Sequence, residues 1–351
     1  MLYFSASLFR RLLAVAALLL TAATAEAKIW RIDNNGGSPG DFITAQAAHD
    51  AATVVVNDTL YFNGSGTSYG DLTMTKRLYV FGPGYHLSQN PETQAVTNTA
   101  YIHELRVMPS AAGSAITGMQ LARVRLFASN TLFKRNYVGS DQHAVVIGDQ
   151  GAFVGTYTPS NVIFTQNYVT CGGGNRALWV FSGCSNVIVT NNLLYSSNPG
   201  WYGVYADASL IFSNNVVYGI LRTPSTNITN TYLYGGSLEG AGNSYNNNIC
   251  NGTQFPAING NVQNQPIANV CVASGSDDGY FQLKPNTVSP AYTNPAIGTG
   301  VGGVDMGMFG GTDPYVLSGM PAIPAIWFFS APSSGSGAGG LQIQLKAKSH
   351  N

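Results

Sequence analysis

Ser185-Asn186-Val187-Ile188-Val189-Thr190-Asn191-Asn192 decides the reading of the whole chain. Two asparagines six apart, Asn186 and Asn192, bracket a run in which Val187 and Val189 point one way and Ile188 and Thr190 the other, the period of a β-strand. The same frame stands at Ser160-Asn161-Val162-Ile163-Phe164-Thr165-Gln166-Asn167, at Ser129-Asn130-Thr131-Leu132-Phe133-Lys134-Arg135-Asn136 and, loosened, from Ser209 to Asn215. A unit this short cannot bury its own apolar face, so copies must stack. Positions 130, 161, 186 and 209 are 31, 25 and 23 residues apart, which suits one turn of a three-sided coil with a loop inserted in the longest. The pattern predicts inward positions at Val162, Phe164, Leu210 and Phe212, and a second apolar stack of Val138, Val169, Leu194 and Val217. Asparagine suits the corners, because it tolerates the left-handed conformation and its amide can donate and accept along a column. The expected fold is all-β: a right-handed parallel β-helix.

Outward from the repeats, Lys28 to Asp33 reads as a first strand. Phe42, Ala45, Ala48 and Ala52 lie near helical spacing, which predicts a short N-terminal helix over Asp41 to Ala52. Such a helix would cap the open end of the solenoid, where core and strand edge are otherwise exposed. Asp71 to Phe81 reads as a strand pair ending at the Gly82-Pro83-Gly84-Tyr85 turn, and Gly242 to Asn248 as a degraded late copy. Tyr315 to Pro324 is expected to run extended along the body; a Gly/Ser linker follows over 331–340, then a half-buried strand over 341–348. The chain thus divides into a leader (1–27), a β-helix (28–311) and an extended C-terminal segment (312–351).

Four stretches resemble the pectin-lyase-like superfamily of right-handed parallel β-helices, in particular its uncharacterised secreted bacterial repeat proteins. They are Lys28 to Phe62, Leu72 to Tyr85, the repeat block, and a tail comprising Asp278-Gly-Tyr-Phe-Gln-Leu-Lys-Pro285, Ser289-Pro290-Ala291 and Asp305-Met-Gly-Met-Phe-Gly310. The resemblance covers most of 28–311 and implies the fold, with a polysaccharide as the expected class of ligand. It names no activity.

The N-terminus carries the marks of a secretory signal peptide: Arg10-Arg11, the apolar run Leu12 to Leu20, and Ala25-Glu26-Ala27 as the cleavage site. A secreted, periplasmic or cell-surface location is therefore expected, with no membrane span once the signal is removed. Sixteen basic and 16 acidic residues give no net charge, and only 9% of the chain is charged. That excludes nucleic acid as a partner, since its affinity rests on phosphate neutralisation. A monomer is expected. Cys171, Cys184, Cys250 and Cys271 read equally as two disulfides between neighbours or as small buried core residues. Their spacing is not that of a zinc site, and no cofactor is called for, although structural calcium is left open.

Chemistry is thinly signposted. Polysaccharide lyases of this kind need a base, commonly Lys or Arg, and hydrolases need convergent carboxylates. The repeat block offers only Asp141, Asp149, Asp207 and Glu239 as acids, and the adjacent pair Asp277-Asp278 reads as a turn. Weak catalytic candidates are Asp141 and His143, the latter as a base oriented by a carboxylate, together with Arg176 and Asp207. Candidate ligand contacts are Trp201, Tyr202, Tyr205 and Arg176, because rings on a solenoid loop can stack on sugar faces. Trp179 could face in or out. The sequence points to glycan binding or surface interaction without a clear catalytic site; a polysaccharide lyase or glycoside hydrolase, and a structural adhesin-like element, are the alternatives. The expected partner is an extracellular polysaccharide or cell-surface glycan.

Overall fold

The computed structural model describes residues 27–37, 40–334 and 340–350, so the leader up to residue 26 lies outside the described residues. Each coil contributes one short strand to each of three sides. The first face is a ten-stranded, wholly parallel sheet running from Ile29–Ile32 through Ser160–Thr165 and Ser185–Thr190 to Ser244–Asn246. The other two faces are halves of one 14-stranded sheet that divide at the long strand Gln120–Leu126. Gln120 and Leu121 pair with Tyr137 and Val138, while Val124 to Leu126 pair with Val145 to Ile147. From there the second face continues through Tyr168–Cys171, Leu193–Ser196 and Val216–Tyr218, and the third through Arg176–Val180, Tyr202–Ala206 and Ile220–Arg222. This is the expected all-β parallel solenoid.

The repeats stack in the register that their sequence alignment implies. Val162, Phe164 and Thr165 pair with Val187, Val189 and Thr190, and Val187 and Val189 pair with Leu210 and Phe212. All the predicted inward positions are buried, as are Val138, Val169, Leu194 and Val217. Phe133 and Phe164 lie parallel inside the core with ring centres 5.4 Å apart. At the N-terminal end, the helix is only Ala45–Asp50, capped where the Thr44 hydroxyl accepts from the Ala47 N–H. It begins later than the apolar spacing suggests because Phe42 bridges to Ile32 and the Asp41 carboxylate accepts from the Arg31 N–H. Leu72–Met74 and Tyr79–Phe81 are both strands, but they belong to different faces and do not pair with each other.

Asparagine forms three columns with three environments. Asn130, Asn161 and Asn186 sit at an exposed corner with positive φ; the Asn161 amide donates to Asn130 Oδ1 at 3.0 Å and the Asn186 amide to Asn161 Oδ1 at 2.7 Å. Asn136, Asn167, Asn192 and Asn215 are completely buried. The Asn192 amide oxygen accepts from the Asn167 backbone N–H at 2.8 Å, and its amide nitrogen donates to the Phe164 and Thr190 carbonyls. Buried main-chain groups at this tight corner thus find partners in the side chain of the next coil.

The third column is the residue just before each buried corner residue, an asparagine in every coil but one, where it is Thr231: Arg135, Gln166, Asn191, Asn214, Asn230 and Asn247, all with φ between 51° and 57°. These side chains point outward and hold the returning C-terminal segment. Asn247 donates to Thr299 O, Asn230 accepts from Val301 N–H, Asn214 donates to Asp305 O, and Asn191 donates to Gly310 O. Gln166 then donates to Asp313 O and Arg135 to Met320 O. The segment is therefore a strap running back up the solenoid. Beneath it, Leu193, Val216, Tyr232 and Ile249 form a second apolar cluster with Phe281, Met306, Met308 and Tyr315.

One expectation fails, and one reading left open is decided. The terminal strand Gln344–Lys348 is exposed throughout; it pairs antiparallel with Ala325–Ser330 as a hairpin and has no face against the core. All four cysteines are free and buried. Cys171 ends a second-face strand and Cys184 precedes a first-face strand, where its thiol donates to Ile147 O. Cys250 packs in the main core while Cys271 belongs to the cluster under the strap, so the second face separates them. Burial pushes the Cys171 thiol up to about 11 and Cys184 and Cys271 up to about 12, which suits small apolar residues.

Candidate functional site

Side chains that leave the third face outward form a column set by strand pairing. Arg106 pairs with Arg125, Arg125 with Val146, Val146 with Trp179, Trp179 with Tyr205, Tyr205 with Arg222, and Arg222 with Glu239. Neighbouring strands are about 4.8 Å apart, so the side chains of adjacent coils touch. Leu178 and Val180 face the core, which fixes Trp179 outward by alternation. That answers the orientation the sequence left open.

Arg176 is the centre of this face. Its guanidinium lies 4.0 Å from the Trp179 ring centre, 4.2 Å from Tyr205 and 5.6 Å from Tyr202. Among the described residues no carboxylate pairs with it. Arg222 covers the other side of Tyr205 at 4.1 Å and binds Asp207 at 2.6 Å. Burial opposes the Arg222 charge, but the Asp207 contact lifts its pKa above the ordinary arginine value. Trp179 Nε1 and Arg176 Nε are both shielded and find no acceptor among the described residues.

A loop roofs part of the strip. Asp149 accepts from the backbone N–H groups of Ala152, Phe153, Val154 and Gly155, which folds the chain back on itself. Burial alone would raise its pKa; those four donors hold it below the ordinary carboxylate value. The loop sets Phe153 edge-on to Trp179, with ring centres 5.7 Å apart, and the Arg125 guanidinium lies 4.6 Å from the Phe153 ring.

The sequence candidates scatter. Arg176, Tyr202, Tyr205 and His143 meet on the third face, and Asp207 joins them through Arg222. Trp201 stands apart on the preceding turn, 42% exposed, and shares no ring contact with Tyr202. Asp141 lies at the edge between the second and third faces. His143 has no carboxylate beside it among the described residues. Its Nδ1 accepts from the Arg176 backbone N–H at 3.2 Å, and burial together with Arg176 and Arg125 pushes its pKa down to about 4. The expected carboxylate-oriented base is therefore absent: Asp149 is spent on its own loop. His143 is a neutral acceptor that positions the Arg176 strand. Arg125, Phe153, Trp179 and Arg222 were missed, because outward direction and cross-coil pairing exist only once the register is known.

Among the described residues no three His, Cys, Asp or Glu side chains converge to hold a metal ion. No described helix is long and apolar enough to cross a membrane. Set against known proteins, the chain matches no family model, no curated protein and no solved structure.

Proposed function

We propose that this is an exported glycan-binding protein of the pectin-lyase-like kind, which holds an extracellular polysaccharide against its third face. The observation that carries this reading is Arg176 set among Trp179, Tyr202 and Tyr205 without a carboxylate. Rings offer flat apolar area for sugar faces, and a cation held between rings keeps its charge available to an anion. The Arg176 charge, held among rings with no carboxylate partner among the described residues, favours a ligand rich in acceptors, such as a uronic acid chain. The leader sequence supports an extracytoplasmic site of action.

Binding without turnover fits the acid–base inventory. His143 is neutral and already accepts a hydrogen bond, and Asp207 is held by Arg222. The test is a glycan array followed by product analysis. Acidic oligosaccharides are expected to bind, and Trp179→Ala and Arg176→Ala are each expected to weaken binding at least tenfold while leaving the fold intact. Unsaturated or shortened products would overturn the binding reading in favour of a lyase or hydrolase; unchanged affinity in both variants would remove the site from the third face.

A further inference from the structure

A second surface, on the neighbouring second face, has a different chemistry. Its outward column reads His103, Ala122, Gly139, Thr170, Tyr195, Tyr218, Tyr234. Thr170 pairs with Gly139 and with Tyr195, and Tyr195 with Tyr218. His103 and Ala122 fall into line one residue beyond the Ile102–Leu121 and Leu121–Val138 pairings. The lower three rings form a pile: Tyr195 and Tyr218 are stacked at 4.6 Å and 11°, and Tyr218 and Tyr234 lie 5.3 Å apart.

The pile stops at Tyr195. Above it come three small side chains in succession before His103, four strand spacings or about 19 Å away. Two adjoining cavities occupy this interval, one of about 490 Å³ that includes Tyr137, Thr170 and Tyr195, the other of about 330 Å³ that includes Tyr101, His103 and Arg123. They share Gly139, Ser140 and Asp141, so they form one trough. A trough of this size is within the range of small-ligand sites. The Tyr137 phenol leans over Gly139 and covers the middle of this interval, so the open space above the Tyr195 ring lies over Thr170 and runs out along Ser140 and Asp141.

Charge separates this trough from the arginine strip. Arg123 at its upper end is occupied by Gln142 at 2.9 Å and lies 3.7 Å from Glu104, and His103 is paired with Asp71. Asp141 is exposed on the rim, and among the described residues its carboxylate has no hydrogen-bond or ion-pair partner. The hydroxyls of Ser140, Thr170 and Ser197 line the same wall. An acidic chain would meet an unpaired carboxylate here. A neutral, hydroxyl-rich one would find a ring to stack on, an acceptor for its hydroxyls and hydroxyl partners.

We propose that the trough is a second glycan site, which takes a neutral pyranose chain stacked on the free face of Tyr195 with its hydroxyls donating to Asp141. It does not rest on the reading of the third face, and the experiment separates the two. Binding is measured by calorimetry with hexasaccharides of β-1,4-glucan, β-1,4-mannan, β-1,4-xylan and, as the acidic probe, oligogalacturonate. At least one neutral probe is expected to bind. Thr170→Tyr continues the tyrosine pile and fills the trough, so it should fold normally and weaken neutral binding at least tenfold. Asp141→Ala, a change at an exposed position, should weaken it about fivefold. Both variants should leave acidic binding unchanged, and Trp179→Ala should do the reverse. The proposal is overturned if none of the neutral probes binds, or if folded Thr170→Tyr and Asp141→Ala proteins bind them like the parent. Loss of acidic binding alone would count against the third face and leave the trough standing.

Discussion

The buried asparagine corner and the third face share one strand spacing, yet one repeats a single residue and the other changes at every step. At the corner, Asn136, Asn167, Asn192 and Asn215 each meet the same geometric demand: main-chain groups turned inward with no water to satisfy them. On the third face Arg125, Val146, Trp179, Tyr205 and Arg222 occupy equivalent places with no shared backbone demand. Uniformity marks what the coil requires. Variety marks what the coil leaves free.

That contrast can be broken most severely at Asn192. Removing its amide by Asn192→Leu strands the Asn167 N–H and the Phe164 and Thr190 carbonyls in the core. At about 1–3 kcal/mol for each buried unsatisfied group, a loss on the order of 4 kcal/mol is expected in chemical denaturation. Trp179→Ala removes ring packing but no partner of a buried main-chain group, so it should cost less stability than Asn192→Leu while abolishing most acidic-glycan affinity; comparable losses of stability in both variants would erase the distinction. Asn191→Ala releases Met308 O and Gly310 O from the strap and should cost about 1–2 kcal/mol. Limited proteolysis should then cut first between residues 300 and 315.

A finer test uses pH. His143 is held near 4 in the folded protein against about 6.5 when unfolded, so between those values the unfolded chain binds the extra proton. Its contribution is whole above pH 6.5 and is lost as the pH falls toward 4. His143→Gln should flatten that limb of the stability curve, and an unchanged slope would mean that burial and the two arginines do not hold the imidazole neutral. The smallest effect belongs to Asn186→Gly. Glycine accepts the positive φ, and because the amide is exposed, water replaces the Asn161 contact, so the change should stay within about 0.5 kcal/mol.

Much of the fold was legible because it is periodic. The frame around Val187 and Val189 fixed inward and outward positions, and alternation carried them to Phe164 and Phe212. What could not be read was anything that depends on two coils at once. Asn191 and Asn192 are adjacent and identical, yet one grips the strap and the other the core, because a positive φ at the first turns the pair in opposite directions. Trp179 looked undecided and Arg222 looked ordinary until pairing set them on either side of Tyr205. Trp201, the most conspicuous ring in the sequence, owed its prominence to a turn on which it shares no ring contact with the others among the described residues. The cysteines stayed undecided for the same reason: nearness along the chain is not nearness across a three-sided section.

The strap touches one corner per coil, at Asn247, Asn230, Asn214, Asn191, Gln166 and Arg135 in turn. It is thereby a tally of coils written into the same chain. A loop can lengthen between corners without disturbing it, as the 31-residue step from Asn130 to Asn161 does. A duplicated coil cannot, because every rung beyond the insertion would meet the wrong main-chain group. The molecule is free to grow sideways and held to its length.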